Sequence, residues 1–439
     1  MLMQRIYTSQ LEKYVGKEVL ISGWCHDVRL LGGINFILLR DKEGIAQVKV
    51  EKKSSPREIL DLVEKIHQED VLVIKGKVVR SKVAKAAVEV VPSKIEVVSK
   101  AEVPLPLDPR NVTPANLDTR LEWKFIDLRK PESILIYKIG TAIEMAMRKF
   151  WIKNGFIEIH SPKLMGSPSE TGAELFSVPY FGRTAYLAQS PQFYKQMAMA
   201  AGFEKVFEIG QVFRANPSET TRHDTEFTSI DMEMSWIDSH EDVMKFEERW
   251  LSYVLKSIKK NFGSEIKENF GVEVIVPKIP FPRVTMQEAH EITGCKPVET
   301  RNFSDLDSEG EKMLCKYVLE NKKHEFVFIK DFPWRVRPFY HMKLEDDPTK
   351  TKSFDLLWKG LEITTGAQRE HRYNVLVEQA KEKGIKLDNI KFYLDFFKYG
   401  CPPHGGFGFG QTRFLMQLLG FKNVREVTFA PRDMKRLFP

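Results

Sequence analysis

The chain has 439 residues, 42% apolar and 29% charged, with a formal net charge of +7. That length calls for two or three domains, and the composition is that of a soluble globular protein with a real core. The four cysteines, Cys25, Cys295, Cys315 and Cys401, form no C-x-x-C pair, and neither an apolar signal core nor an 18-residue apolar run occurs. A disulfide framework, a zinc-thiolate site, secretion and a membrane span are therefore not expected, and a cytoplasmic protein with reduced thiols is.

Residues 1–100 hold 18 Lys+Arg against 13 Asp+Glu, so most of the excess positive charge sits in the first quarter, which suggests a handle for a polyanion. Within 17–100, "KEVLISGWCHDVR", "NFILLRDKEGIAQVKV", "DVLVIKGKVVR" and "AAVEVVPSKIEVV" read as short β-branched strands. The helical stretch "SPREILDLVEKIHQ" interrupts them. This predicts a partly open five-stranded OB barrel over 1–104, a fold whose open face commonly binds single-stranded nucleic acid; another small β-barrel fits the same pattern. The stretch "VPLPLDPRNVTPANLDTR" reads as a hinge or linker, placed at 105–129. From 130 to 439 the pattern is mixed. A helix is expected over "ESILIYKIGTAIEMAMRKFWIKNGF", ending at Gly155. Strands follow at 205–214 and 226–236, helices near 240–260, and strands near 325–345 and 353–364. Strands in sequence without intervening helices predict an antiparallel sheet, hence an α+β class with helices flanking the sheet.

Three stretches carry chemistry. In "VFEIGQVFR", Glu208, Gly210, Val212 and Arg214 share one strand face; in "EFTSIDMEM", Phe227, Ser229, Asp231 and Glu233 share another. A hairpin between them would gather Arg214, Arg222 and His223 at its tip, which suits a polyphosphate, although a solvated charged turn reads the same way. In "HGGFGFGQTRFLMQLLG", Gly406, Gly408 and Gly410 alternate, leaving one strand face bare for a planar ring, with Arg413 in the next helical turn to stack over it. A packed strand crossing is the plainer reading of those glycines. In "SFDLLWKGLEITTGAQREHR", Asp355, Glu362 and Thr365 offer oxygens suited to Mg²⁺, while Arg369 joins Lys195 of "AQSPQFYKQ" as a second cationic pocket.

Taken together, "GFIEIHSPKL", "FRANPSETTRHDTEF" and "GGFGFGQTRF" resemble, in order, the three motifs of class II aminoacyl-tRNA synthetases. "QSPQFYKQ", "GLEITTGAQREHR", the barrel segment "GWCHDVR…INFILLRDKEGIAQV" and the closing "PRDMKRLFP" are similar to archaeal-type aspartyl-tRNA synthetases, over essentially the whole chain. The resemblance implies an OB-fold anticodon-binding domain ahead of a class II catalytic domain. It also implies ATP, L-aspartate and tRNA(Asp) as substrates, Mg²⁺ as cofactor, and a homodimer.

Carried over by position, Arg214 would bind the α-phosphate and the aspartate carboxylate, and Arg222 with His223 the γ-phosphate. Arg413 would stack on adenine, and Asp355, Glu362 and Thr365 would organise Mg²⁺. Glu170, Ser190, Gln192 and Asp231 would receive the substrate ammonium; Lys195 and Arg369 would take the β-carboxylate. In the barrel, Arg29, Phe36 and Gln47 would read the middle anticodon base. Two positions depart from the family pattern: Asn216 stands where the second motif usually has glutamate, and Gln411-Thr412 precede the arginine of the third. Neither removes a charge that phosphates need. His26 stands where strictly specific relatives carry tryptophan, whereas Lys85 resembles the strict pattern. His26 favours an enzyme that charges tRNA(Asn) as well as tRNA(Asp). The rivals are a strictly tRNA(Asp)-specific enzyme, an asparaginyl-tRNA synthetase or a tRNA-independent amide-forming relative, and a non-catalytic tRNA-binding paralogue.

Overall fold

The structure is a computed structural model that describes residues 4–81, 84, 87–110, 112–167, 175–217, 220–295 and 305–438. The chain divides into two compact units, 1–135 and 136–439.

In the first unit, β1 (Glu18–Leu30), β2 (Ile34–Asp41), β3 (Gly44–Glu51), β4 (Val71–Arg80) and β5 (Val88–Ser99) close a barrel in the order β1-β2-β3-β5-β4. Closure comes from β4, which pairs with β1 from Glu18 to Trp24; the β3–β5 seam is a parallel contact at Val48 and Val90. Alternation sends Ile21, Ile37, Val48, Ile74 and Val90 into the core. The predicted helix is shorter than its pattern: α1 covers Arg57–Val63, and Lys65 and Ile66 bond three residues back, which tightens and ends it. Residues 105–129 carry two short helices, α2 (Leu117–Glu122) and α3 (Lys124–Asp127). Gln68 donates to Asp108 at 3.1 Å, Arg110 to Asp27 at 3.1 Å and Arg129 to Glu69 at 2.9 Å, so this segment is pinned along the barrel.

The long helix α4 (Pro131–Lys153) starts on a proline and is followed by Gly155 at φ +80°, the left-handed position the sequence marks as its stop. The second unit is built on an eight-stranded sheet. Its elements are β6 (Ile157–Glu158), a three-stranded side sheet of β7 (Leu164–Met165), β8 (Ser177–Tyr180) and β9 (Arg183–Leu187), then α5 (Gln192–Ala200), β10 (Lys205–Phe213) and β11 (Glu226–Ser235). There follow α6 (His240–Phe270), β12 (Arg283–Thr285), α7 (Met286–Thr293), α8 (Ser308–Lys322), β13 (Phe326–Lys330), β14 (Ser353–Trp358) and β15 (Leu361–Arg369). The chain ends with α9 (Tyr373–Glu382), α10 (Lys391–Lys398), β16 (His404–Gly410), α11 (Gln411–Leu419) and α12 (Val424–Val427).

The large sheet runs β12-β13-β14-β15-β16-β11-β10-β6 and is antiparallel except at its two edge pairings. The strand expected over 325–345 stops at Lys330. Asp331 turns the chain at φ +62°, and Pro333 and Pro338 have no amide hydrogen to give a ladder. Between β14 and β15, Lys359 and Gly360 both take positive φ, the tight hairpin turn matched to strand twist. Helix α6 is capped by Ser239 with Asp242 and lies across β15 and β16. Its Trp250 packs on Phe407 and Phe409 at 5.4 and 5.1 Å between ring centres. Those phenylalanines alternate with the glycines of "GGFGFG", so one face of β16 fills the core and the other stays bare.

Candidate functional site

The bare face of β16 is one stripe of a larger surface. Strand register aligns Glu208, Asp231, Gly408, Thr365 and Asp355 in a single row across β10, β11, β16, β15 and β14. The neighbouring row carries Glu233, Gly406 and Ala367. Above this face lies a cavity of about 780 Å³, lined among others by Arg214, Asn216, Arg222, His223, Phe227, Gly408, Gly410 and Arg413. The glycines are needed for room: a Cβ at Gly406 would sit 2.0 Å from the Met232 carbonyl oxygen, and one at Gly408 would meet Asp231 at 3.2 Å. Phe227, which the motif reading passed over, lines the same cavity with the Arg214 guanidinium 5.7 Å from its ring centre. Its place two residues ahead of Ser229 on the inward face was the available signal.

At the loop end of the β10–β11 hairpin, Arg214, Arg222 and His223 do face one cavity, but their charges differ from a simple cationic cluster. Arg222 donates to Glu311 of α8 at 2.7 Å and to the Ser308 hydroxyl. Arg413 donates to the Glu362 carboxylate at 3.2 Å and to His223 Nε2 at 3.0 Å. Burial, with the nearby guanidinium groups of Arg413 and Arg222, pushes His223 down to about 4. His223 is therefore a neutral imidazole near pH 7 and not a third cation. Burial and the Glu362 charge push Glu311 up to about 7. Glu311 lies 89 residues from Arg222, and only the fold links the two.

On the acidic side, the β14–β15 ladder slips at Leu356/Leu357, which pairs Leu357 with Glu362 while Asp355 pairs with Thr365. Without that bulge, residues three apart on β15 would point to opposite faces; with it, Asp355, Glu362 and Thr365 share one. Asp355 accepts from Arg337 at 2.7 Å through one oxygen, and its other oxygen is buried without a partner. Burial, opposed by Arg337 and reinforced by Glu362, pushes the Asp355 carboxyl up to about 7. Among the described residues no group of three His, Cys, Asp or Glu side chains is arranged to hold a metal. Two carboxylates and a hydroxyl nevertheless fit Mg²⁺, which favours oxygen ligands and keeps waters, and the orphaned Asp355 oxygen fits a cation.

At the other end of the cavity, lining residues Asp231 and Arg369 belong to a buried charge quartet whose other members, Lys195 and Glu233, do not line it. Lys195 Nζ lies 3.0 Å from Asp231 and 3.3 Å from Glu233, and it also donates to the Phe407 carbonyl at 3.1 Å. Arg369 donates to Glu233 at 3.1 Å, to His341 Nε2 at 2.9 Å and to the Gly406 carbonyl at 3.0 Å. Both cations expected to meet a ligand carboxylate thus already have counter-charges. Burial raises the Glu233 carboxyl, but Arg369 and Lys195 outweigh it and hold it below the ordinary range. His341 is held far below its ordinary value by burial and Arg369, hence neutral. Ser190, Gln192, Asp231, Thr365 and Arg369 line the cavity. Glu170 lies outside the described residues.

In the barrel, Arg29 and Phe36 are directly paired across β1 and β2, and Gln47 faces Leu38 on the same outward side. Arg29 is tied to Asp27 at 3.2 Å, and Gln47 donates to Glu89 at 2.6 Å. His26 is the extra residue of a bulge between Cys25 and Asp27, which alternation alone does not reveal. Its Nδ1 accepts from Arg40 at 3.0 Å, and Arg40 is locked by two 2.8 Å bonds to Glu69. Burial and Arg40 hold His26 below its ordinary value, so Nε2–H is the donor left to offer outward. Lys85 lies outside the described residues.

A family model described as tRNA synthetases class II (D, K and N) matches residues 116–434, and an OB-fold nucleic acid binding domain matches 19–98. The chain is similar to an aspartate–tRNA(Asp) ligase of Pyrococcus abyssi, 49% identical over 434 residues and 99% of each chain. It is 46% identical to an aspartate–tRNA(Asp/Asn) ligase of Methanopyrus kandleri, over 97% of this chain and 96% of that one. Among solved structures, an asparaginyl-tRNA synthetase from Pyrococcus horikoshii complexed with asparaginyl-adenylate superposes with a TM-score of 0.91 at 31% identity, covering both chains fully.

Proposed function

The chain belongs to the class II tRNA synthetases of the D, K and N group, and from that premise we propose that it joins L-aspartate to tRNA(Asp), and also to tRNA(Asn), through an aspartyl-adenylate. The observation that carries the aspartate assignment is the buried quartet of Lys195, Arg369, Asp231 and Glu233. A substrate ammonium satisfies Asp231. The remaining Lys195, Arg369 and Glu233 then sum to one positive charge, which a β-carboxylate cancels and a carboxamide does not.

In the reaction, the α-carboxylate attacks the α-phosphate in line and pyrophosphate leaves; a terminal ribose hydroxyl of tRNA then takes the aminoacyl group. Arg214 stands where negative charge develops and lowers the barrier by preorganised charge. Arg222 and a neutral His223, whose Nδ1–H faces the Thr220 hydroxyl while Nε2 accepts from Arg413, border the γ-phosphate end. Arg413 and Phe227 enclose adenine over Gly408 and Gly410, and Asn216 offers a carbonyl acceptor nearby. Glu311, poised to take a proton, loses its hold on Arg222 as phosphate oxygens arrive. Glu170, Ser190, Gln192 and Asp231 receive the ammonium. Asp355, Glu362 and Thr365 would hold Mg²⁺, which supplies charge neutralisation on the phosphates. No side chain acts as a covalent nucleophile.

The tRNA(Asn) assignment is supported by His26, whose smaller ring presents a single donor beside the anticodon face formed by Arg29, Phe36 and Gln47. Exposed Met145, Ile152, Ile157 and Leu164 on α4, β6 and β7 support a homodimer formed through that surface. Among the described residues no helix is long and apolar enough to cross a membrane. The test is charging of purified tRNA(Asp) and tRNA(Asn) with aspartate. Product on both is expected, and product on tRNA(Asp) alone restricts the enzyme to one tRNA.

A further inference from the structure

Behind the amino-acid end of the cavity runs a buried polar chain that the reaction does not itself use. His404 faces the Pro402 carbonyl through Nδ1 at 2.8 Å. A proline carbonyl only accepts, so Nδ1 carries the proton. Burial lowers His404 to about 4, so the ring is neutral and Nε2 is bare. Gln196 Nε2 lies 3.0 Å from that bare nitrogen and donates to it. The Gln196 carbonyl then accepts twice, from the Tyr393 hydroxyl at 3.0 Å and from Gln192 Nε2 at 2.8 Å. Rotating the Gln196 amide by half a turn would set its oxygen against the His404 lone pair and its NH₂ against the Gln192 NH₂. One arrangement satisfies every group. Gln196, His404 and Tyr393 are fully buried, and Gln192, at the end of the chain, lines the cavity.

We propose that Gln196, Tyr393 and His404 are positioning residues for the amino-acid substrate, fixing Gln192 so that its amide nitrogen is spent inward and its carbonyl oxygen accepts the substrate ammonium. The proposal rests on the assignment of Gln192 to that ammonium. A flipped Gln192 would present NH₂ to a cation and repel it. The relay therefore acts on amino-acid affinity and leaves ATP affinity alone.

ATP–pyrophosphate exchange by the full-length protein, with aspartate and ATP varied separately, tests this. Gln196→Met is expected to raise the aspartate KM about tenfold, the worth of one charge-assisted hydrogen bond, with the ATP KM unmoved. Tyr393→Phe removes one hydroxyl and should raise the aspartate KM about threefold, which gives the same test if Gln196→Met does not fold. In a Gln192→Ala background the Gln196→Met effect should vanish. An aspartate KM unmoved in Gln192→Ala refutes the ammonium assignment and the relay with it. A raised value in Gln192→Ala, with Gln196→Met and Tyr393→Phe unchanged, or an undiminished Gln196→Met effect in the double variant, overturns the relay alone.

Discussion

Replacing Lys195 with leucine should abolish the preference for aspartate, and the charges around it say by how much. Lys195 and Arg369 are balanced by Asp231 and Glu233, with the neutral His341 and His404 alongside. Once the substrate ammonium answers Asp231, bound aspartate leaves the parent pocket neutral and bound asparagine leaves it at +1. Without Lys195 the same count gives −1 for aspartate and zero for asparagine. A buried, unanswered charge or a lost charged hydrogen bond costs about 3 kcal/mol, a little over a hundredfold in rate. The preference should therefore move from more than a hundredfold for aspartate to parity or a preference for asparagine, while the ATP KM holds. The assay is ATP–pyrophosphate exchange, comparing kcat/KM for the two amino acids. Because the change strips the partner from two buried carboxylates, thermal melts must accompany it, and Lys195→Gln serves as the milder variant. A folded variant that keeps the parent ratio of aspartate to asparagine would refute this charge count.

Arg214→Ala should lower the adenylation rate by about two to three orders of magnitude and leave tRNA affinity nearly intact, measured by exchange and by filter binding. A parallel fall in both would show that the anticodon grip and the adenylation site do not act separately. His26→Trp should selectively depress aspartylation of tRNA(Asn); the Nε2–H donor set by Arg40 is lost and an indole fills the bulge. Equal depression with tRNA(Asp) would count against His26 as the discriminating residue. Glu247 on α6 is fully buried, and burial, only partly opposed by a side-chain hydrogen bond with Thr364, pushes it up to about 8 from an ordinary 4.5. The folded protein then holds a proton the unfolded chain releases between those values, so stability falls as pH rises through that window, by about 1.4 kcal/mol per pH unit. Glu247→Met removes the slope, and its Tm advantage over the parent should grow from pH 5 to pH 8; a constant difference would contradict the buried-acid account.

Where the sequence was legible, a short period did the signalling. The barrel strands announce themselves as short β-branched runs that send Ile21, Ile37, Val48 and Ile74 inward at every second position, and the glycines at 406, 408 and 410 mark a bare face by the same rule of two. What escaped is where that rule breaks or where distance intervenes. The bulge at His26 and the slip at Leu356/Leu357 each shift a side chain to another face without any change in composition. Counter-ions come from far along the chain: Glu311 for Arg222, Arg337 for Asp355, Glu233 for Arg369. The basic residues of "FRANPSETTRHDTEF" looked like a free cationic cluster, yet only packing reveals that His223 is neutral and Arg222 is held. The chain Gln192–Gln196–His404 joins residues more than 200 positions apart, beyond any local pattern.

The central claim is that the pocket selects aspartate for adenylation. Its most direct test is ATP–pyrophosphate exchange by the unmodified enzyme with aspartate and asparagine side by side at equal concentration. Aspartate-dependent exchange at least a hundredfold above that with asparagine is the predicted result. Exchange driven equally well by asparagine, or by neither, would contradict it.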